Sequence, residues 1–296
     1  MKDARNIDTA IIRALQADGR ASFLDIARDL DAPRATIAAR VVQLLESGTV
    51  RVIAAVDPSF LGQRVIAHVS ILANGPVRAI AGELVRDSDA VLVSAVGGDH
   101  DLIAEFRVTS HEELHRTLAQ VRSLPGVGRI DTLVYTSLIK GFFISRYAGD
   151  ATIDDTDTRL IGLLQADGRA SYRQMSAAVG LSATAVRTRV QRLLDLRIIK
   201  ISAVEARGAR GRQLSMGVGL NIDGGHKEVI ELLRASGDIE FAAETVGRFD
   251  AVATLVGESP AALLDSLEVL RALPGIKRTV SWSHLEVLKE DYARRA

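Results

Sequence analysis

Arg187, Arg189 and Arg192 stand close together in the sequence, with Ser182, Thr184 and Thr188 beside them. A guanidinium presents a planar fork of donors that grips guanine edges or phosphate, and short hydroxyls reach the same groups. The competing reading of such a run is a solvated helix face. A sparser version occurs earlier, where Arg34, Thr36 and Arg40 are separated by alanines. Two short polar loops form a second candidate, Gly98-Asp99-His100-Asp101 and Gly247-Arg248-Phe249-Asp250. In each, glycine permits a tight turn, and the aspartate can fold back onto backbone amides. A third candidate, His111-Glu112-Glu113-Leu114-His115, matches the zinc-protease pattern H-E-x-x-H. It opens a helix in which capping and the helix dipole already explain the acids. The sequence offers no further histidine ligand downstream at the spacing of such enzymes, so no metal site is expected.

The elements that must position these residues occur twice. Leu15 to Ser22 reads LQADGRAS, and so does Leu164 to Ser171, at an offset of 149 residues. The same offset carries Leu124-Pro125-Gly126-Val127 onto Leu273-Pro274-Gly275-Ile276, and the first polar loop onto the second. It maps the H-E-x-x-H stretch onto Pro260-Ala261-Ala262-Leu263-Leu264, which has no ligand. Each copy begins with three short helices. In the first, Asp8 is a plausible N-cap, and Ile11, Ile12 and Leu15 form an apolar stripe. Gly19 ends that helix, a second spans residues 23–30, and a third runs to about Ser47 with Ile37, Val41, Leu44 and Leu45 inward and Gly48 as its stop. A tight turn between the last two helices is the helix-turn-helix signature. Residues 50–56 read as a strand acting as wing or hinge. The rest of each copy follows the order βαββαβ. Ser110 and Ser259 cap helices, Glu113 stands at the capping-box position, and Pro260 takes a first helical position. The fold class is α+β, a tandem repeat of winged helix-turn-helix plus ferredoxin-like βαββαβ domain. The expected domains are residues 1–57, 58–140, 157–207 and 208–296, with 141–156 as a linker.

The repeated LQADGRAS is explained by turn chemistry, with its glycine closing one helix and its serine starting the next. The alternative for Arg20 and Arg169 is contact with phosphate. Gly224-Gly225-His226 precedes a helix and reads as a turn before an anion site, and no P-loop or dinucleotide fingerprint occurs. Trp282 and the Phe142-Phe143 pair read as packing residues.

Composition narrows the function classes. Hydrophobic residues make up 47% and charged residues 25% of the 296, as in ordinary globular proteins. Cysteine is absent, which excludes disulfides, thiolate metal sites and cysteine nucleophiles. The N-terminus lacks the apolar core of a signal peptide and no apolar run is long enough to span a bilayer, so a cytoplasmic location and no membrane partner are expected. The net charge is zero, so any nucleic-acid surface must be a local patch. Residues 1–56 hold eight Lys/Arg against seven Asp/Glu, net +1, whereas residues 152–207 hold nine against six, net +3. Lys200, Arg210 and Arg212 extend the second patch, so copy two is expected to anchor more firmly.

A helix-turn-helix followed by βαββαβ, with a Gly-x-x-Asp loop between the middle strands, resembles the leucine-responsive regulator/AsnC (Lrp/AsnC) family. The resemblance covers essentially the whole chain, twice, and its most specific stretch is residues 181–193. It implies a transcriptional regulator in which the helical part binds double-stranded DNA and the βαββαβ part dimerises and binds a small effector, often an amino acid. Carried onto this chain, the DNA-reading set is Arg34, Thr36, Arg40, Ser182, Thr184, Arg187, Thr188, Arg189 and Arg192. Arg40 and Arg189 have a competing role, bracing the three-helix core. The effector-binding set is Gly98, Asp99, Asp101, Gly247, Arg248 and Asp250, with two pockets of unequal specificity. No cofactor is implied, and further association into homo-oligomers is expected. Two alternatives stand beside this one. Siroheme decarboxylases resemble the same family and also occur as fused pairs. They carry runs of the kind His-Asn-Tyr-Arg-Arg, which the first strands here, RVIAHVSILANG and RQLSMGVGLNIDGG, lack. The other alternative is a sensor or assembly protein whose first head has lost DNA contact.

Overall fold

The computed structural model describes residues 2–141, 147, 149, 151–205 and 214–291. Phe142, Phe143, Arg210 and Arg212 lie outside the described residues. Copy one runs α1 (Lys2–Ala17), α2 (Phe23–Asp29), α3 (Arg34–Glu46), β1 (Val50–Val56), β2 (Val65–Ala73), α4 (Val77–Asp87), β3 (Ala90–Gly97), β4 (Leu102–Val108), α5 (His111–Ser123) and β5 (Val127–Lys140). Copy two repeats the order with α6 (Asp155–Ala166), α7 (Tyr172–Val179), α8 (Ala183–Asp195), β6 (Ile199–Glu205), β7 (Leu214–Ile222), α9 (His226–Ala235), β8 (Ile239–Val246), β9 (Ala251–Gly257), α10 (Pro260–Arg271) and β10 (Ile276–Glu290).

The chain divides into two compact units, and neither unit is one repeat. The first gathers the helical heads of both copies. Their cores follow the expected stripes, with Ile11, Leu15, Ile26, Ile37 and Val41 buried in one and Leu160, Leu164, Met175, Val186 and Val190 in the other. Each such side chain contributes about 1.5–3 kcal/mol on full burial. β1 pairs antiparallel with β6, from Val50 opposite Glu205 to Val56 opposite Ile199. The strand expected as a wing or hinge is therefore half of a ribbon that joins the heads. α1 packs on β6 and α6 on β1, so each head's first helix covers the other head's strand.

Asp8 is not a cap. It lies inside α1 and is buried, because α1 begins at Lys2, six residues before it. In copy two the corresponding helix does start with a capping box, Asp154 with Asp157, which takes the last residues expected for the linker.

The second unit gathers both βαββαβ halves. Their strands close into one barrel, in the order β10-β3-β4-β2-β5-β8-β9-β7. Two of its seams join the copies, β5 with β8 and β10 with β3. Closure removes the free edges that two separate sheets would expose. Alternation along each strand separates two environments. Val69, Ile71, Val93 and Phe106 face the core beneath α4 and α5, while Val218, Leu220 and Leu255 face the core beneath α9 and α10. The opposite faces meet across the copies in a third cluster built from Val96, Ile103, Leu133, Phe249, Val252 and Trp282.

Candidate DNA-binding interface and effector loops

Within each head the last two helices meet through a tight turn. Asp31 adopts the left-handed conformation, φ 47°, at the position that Gly180 fills in copy two, φ 73°. Glycine takes that conformation without steric cost and aspartate tolerates it, so head two carries the more relaxed turn. α8 is capped by Ser182, whose hydroxyl accepts from Ala185 N at 3.2 Å. Pro33 precedes α3 and supplies no side-chain cap.

Burying Val186, Val190 and Leu193 turns Thr184, Arg187, Thr188 and Gln191 outward. Burying Ile37, Val41 and Leu44 likewise exposes Arg34, Ala35, Thr36 and Ala39. Thr188 Oγ1 also donates to Thr184 O at 3.1 Å. Arg34 and Arg187 make no ion pair among the described residues.

The other arginines of the DNA-reading set are engaged by their own head. Arg40 grips the buried Asp8 with two contacts, Nε at 2.8 Å and an Nη at 2.5 Å. Arg189 donates to Asp157 and Asp154, each at 2.8 Å. Asp157 is the copy-two counterpart of Asp8 and equally buried. The hydrogen bond that Arg40 donates to Asp8 raises the Arg40 pKa, and those donated to Asp157 and Asp154 raise that of Arg189. Both arginines thus tie the third helix of their head to its first. Arg192 is shared, reaching Thr152 O at 3.1 Å and Asp157 at 3.5 Å while remaining partly exposed.

The LQADGRAS segments do more than turn. Arg20 reaches into the other head and donates to Gly168 O at 2.7 Å and Ala170 O at 3.0 Å. Arg169 returns the contact, to Gly19 O at 2.7 Å and Ala21 O at 3.1 Å. Each guanidinium also lies over an aromatic ring of the other head, Arg20 over Tyr172 at 4.7 Å and Arg169 over Phe23 at 5.3 Å. The glycines are required here by close approach. A Cβ on Gly19 would stand 2.9 Å from the backbone at Ile201 and Ser202, and one on Gly168 would stand 3.0 Å from Val52 O. Their amides donate across the junction as well, Gly19 N to Ile201 O and Gly168 N to Val52 O. Isologous contact explains the repeated string, because a residue that must fit its own counterpart's surroundings is constrained in both copies. The only clue in the sequence was the identity itself.

The two polar loops meet each other. Arg248 Nη2 contacts Asp99 Oδ2 at 2.5 Å, and Arg248 Nη1 lies 3.9 Å from Asp131 Oδ2. His100, itself buried, bonds Asp131 through Nε2 at 3.0 Å. Arg248 lowers the Asp99 pKa, and His100 is the main cause of the lowered Asp131 pKa. Gly98 sits against Ser281 and Trp282 of the other copy, and Gly247 against Thr132 and Leu133. Asp101 and Asp250 serve the turns, accepting from Ala73 N and Ile222 N at 2.8 Å each. The loops therefore meet each other across the copies.

The facing sheet surfaces differ between copies. His68 and Ser70 of copy one correspond to Gly217 and Gly219 of copy two. Trp282 fills the space over Gly217, and Phe249 the space over Gly219, where a Cβ would come within 2.0 and 2.4 Å of the rings. His68 lies 5.7 Å from Trp282, ring to ring, and burial pushes its pKa down to about 3. Glu105 and Arg107 form a buried pair on the copy-one side. In the H-E-x-x-H stretch, Glu113 accepts from the Thr109 amide and hydroxyl, one residue earlier than the expected capping box, while Ser110 caps the Glu113 amide. No group of three or more His, Asp or Glu able to hold a metal ion occurs among the described residues. No helix among them is long and apolar enough to cross a membrane.

Comparison with known proteins agrees with this organisation. The AsnC-type helix-turn-helix domain matches residues 6–45 and 153–194. An uncharacterized HTH-type transcriptional regulator of Pyrococcus abyssi is 34% identical over 137 residues, covering 45% of this chain and 87% of that protein. The chain belongs to the Lrp/AsnC family. HTH-type transcriptional regulator FL11 of the same organism is 33% identical over 130 residues, covering 43% of this chain and 86% of FL11. One repeat of this Lrp/AsnC member thus accounts for most of such a relative. The siroheme decarboxylase NirDL covers 96% of this chain and 93% of its own, with TM-score 0.61 and 13% identity. At that identity the likeness shows the fold alone, and it extends over both copies of this chain.

Proposed function

We propose that the chain is a sequence-specific DNA-binding transcriptional regulator that presents two reading heads from one polypeptide and responds to a small zwitterionic effector. The observation that carries this reading is the reciprocal clasp of Arg20 and Arg169, which joins the heads as equivalents. In a helix-turn-helix pair the second helix enters the major groove and its first residues meet base edges. Arg34 and Thr36 on α3, and Ser182, Thr184, Arg187 and Thr188 on α8, take that role. Arg40 and Arg189 hold their heads together, and Arg192 reaches phosphate only at the cost of an internal contact. Head two, with its net charge of +3, its cap and its glycine turn, is the stronger anchor.

At the barrel, Asp99 and Arg248 close on each other; an amino acid that parts them meets complementary charges, the carboxylate for its ammonium and the guanidinium for its carboxylate. Gly98 and Gly247 seat the loops, and Asp101 and Asp250 hold their shape. The family relationship and the outward placement of both helices support this reading over an enzyme on the same scaffold.

The test is binding of the full chain to its own upstream DNA. Arg187→Ala is expected to weaken binding by about 1–3 kcal/mol and Arg34→Ala by less. Unchanged binding in both variants would remove the helix assignment. A thermal-shift screen against amino acids tests the effector. A stabilising hit must disappear in Arg248→Ala.

A further inference from the structure

We infer that copy one and copy two select each other, so that the barrel accepts one copy of each kind and rejects two of the same kind. Positions 99 and 248 are equivalent, since 99 plus the offset of 149 is 248. A residue that touches its own counterpart lies on the pseudo-twofold axis. In a barrel built from two like copies that residue would face itself. Here it is Asp on one side and Arg on the other, in direct contact.

The surroundings carry the same polarity. Asp131, the second acid near Arg248, corresponds to Val280, and His100, which bonds Asp131, corresponds to Phe249. The Arg248 guanidinium lies over the Phe249 ring at 4.9 Å. Copy one thus brings two carboxylates and a histidine, with Arg129 beside Asp131 at 3.2 Å, whereas copy two brings a cation on an aromatic platform. Two copies of the first kind would set Asp99 against Asp99 among four carboxylates, with Arg129 beside each Asp131 and nothing in the place of Arg248. Two of the second kind would oppose guanidiniums with no acid from this set.

The backbone does not make this choice. Gly98 on the copy-two strand and Gly247 on the copy-one strand dock in matching ways. The clasp in the helical unit cannot make it either, because Arg20 and Arg169 are the same residue type. Charge at the barrel axis supplies the selection, through repulsion of the wrong pairing as much as attraction of the right one. The surface therefore fits copy two of its own chain, and turns away a half-length protein that carries only the copy-one loop.

The test uses the full chain with Arg248→Asp, Asp99→Arg, and both together. Arg248→Asp is expected to lower the thermal midpoint of the barrel by about 3–6 °C, and Asp99→Arg by less, because Asp131 remains. The double variant restores the opposite charges and should recover at least half of the larger loss. The losses should shrink in about 1 M salt, where screening acts within about 3 Å. Single variants that melt with the parent, or a double variant that loses the sum of the two, would overturn the inference.

Discussion

The helical unit and the barrel treat the same duplication in opposite ways. In the helical unit the junction is written twice in nearly the same letters, with Tyr172 standing for Phe23. Arg20 and Arg169, Gly19 and Gly168, and Phe23 and Tyr172 make equivalent contacts from each side. In the barrel the residues at the axis are unlike, Asp99 against Arg248, and the facing surfaces exchange His68 and Ser70 for Gly217 and Gly219. Fusion of two copies frees axial residues from self-complementarity, since each now has a private partner. The barrel has used that freedom, and the clasp has kept its symmetry. A symmetric clasp suits two heads that read related half-sites, while an unlike pair at the axis suits a locus for one asymmetric molecule.

Substitution at equivalent positions separates the two behaviours. The largest effect should come from Trp282→Ala, which empties the space over Gly217 and costs the barrel about 3–5 kcal/mol. Its counterpart Leu133→Ala leaves a smaller void and should cost less, with both read by denaturant unfolding. Equal costs would argue that the interior is symmetric after all. In the clasp, Arg20→Ala and Arg169→Ala should each destabilise the helical unit by about 1.5–3 kcal/mol. The two losses should agree within error, and unequal losses would break the symmetry claimed for that junction.

His68 gives a smaller effect, and only in copy one. Its folded pKa of about 3 lies below the ordinary 6.5. Above 6.5 neither state is protonated, and the full stability is present. As pH falls, the unfolded chain takes up a proton that the folded chain refuses, so stability is lost. At about pH 5 the loss is about 2 kcal/mol. His68→Asn should remove that part of the pH dependence of barrel unfolding. A profile identical to the parent's would show that His68 is not the responsible group.

The repeated string, the three-helix stripes and the βαββαβ order were legible because each rests on local periodicity and turn chemistry. Closure of the barrel was not, because pairing of β5 with β8 and β10 with β3 joins residues about a hundred or more positions apart. Asp8 misled because a carboxylate before an apolar stripe reads as a cap, and its partner Arg40 lies two helices away. The polar loops were found as candidates, but their meeting was hidden. Nothing within GDHD or GRFD says that each faces the other. A small clue was present in the substitution of Arg for Asp at one position of an otherwise matched loop.

A chain that carries both halves of a two-fold reader has a defined stoichiometry on its operator, with native mass spectrometry counting chains and footprinting locating the contacts. The expected result is one chain for each pair of half-sites, centred about one helical turn of DNA apart, with Arg187→Ala weakening protection of one half-site and Arg34→Ala, to a smaller extent, that of the other. Two chains per pair of half-sites, with one head of each left unbound, would contradict it.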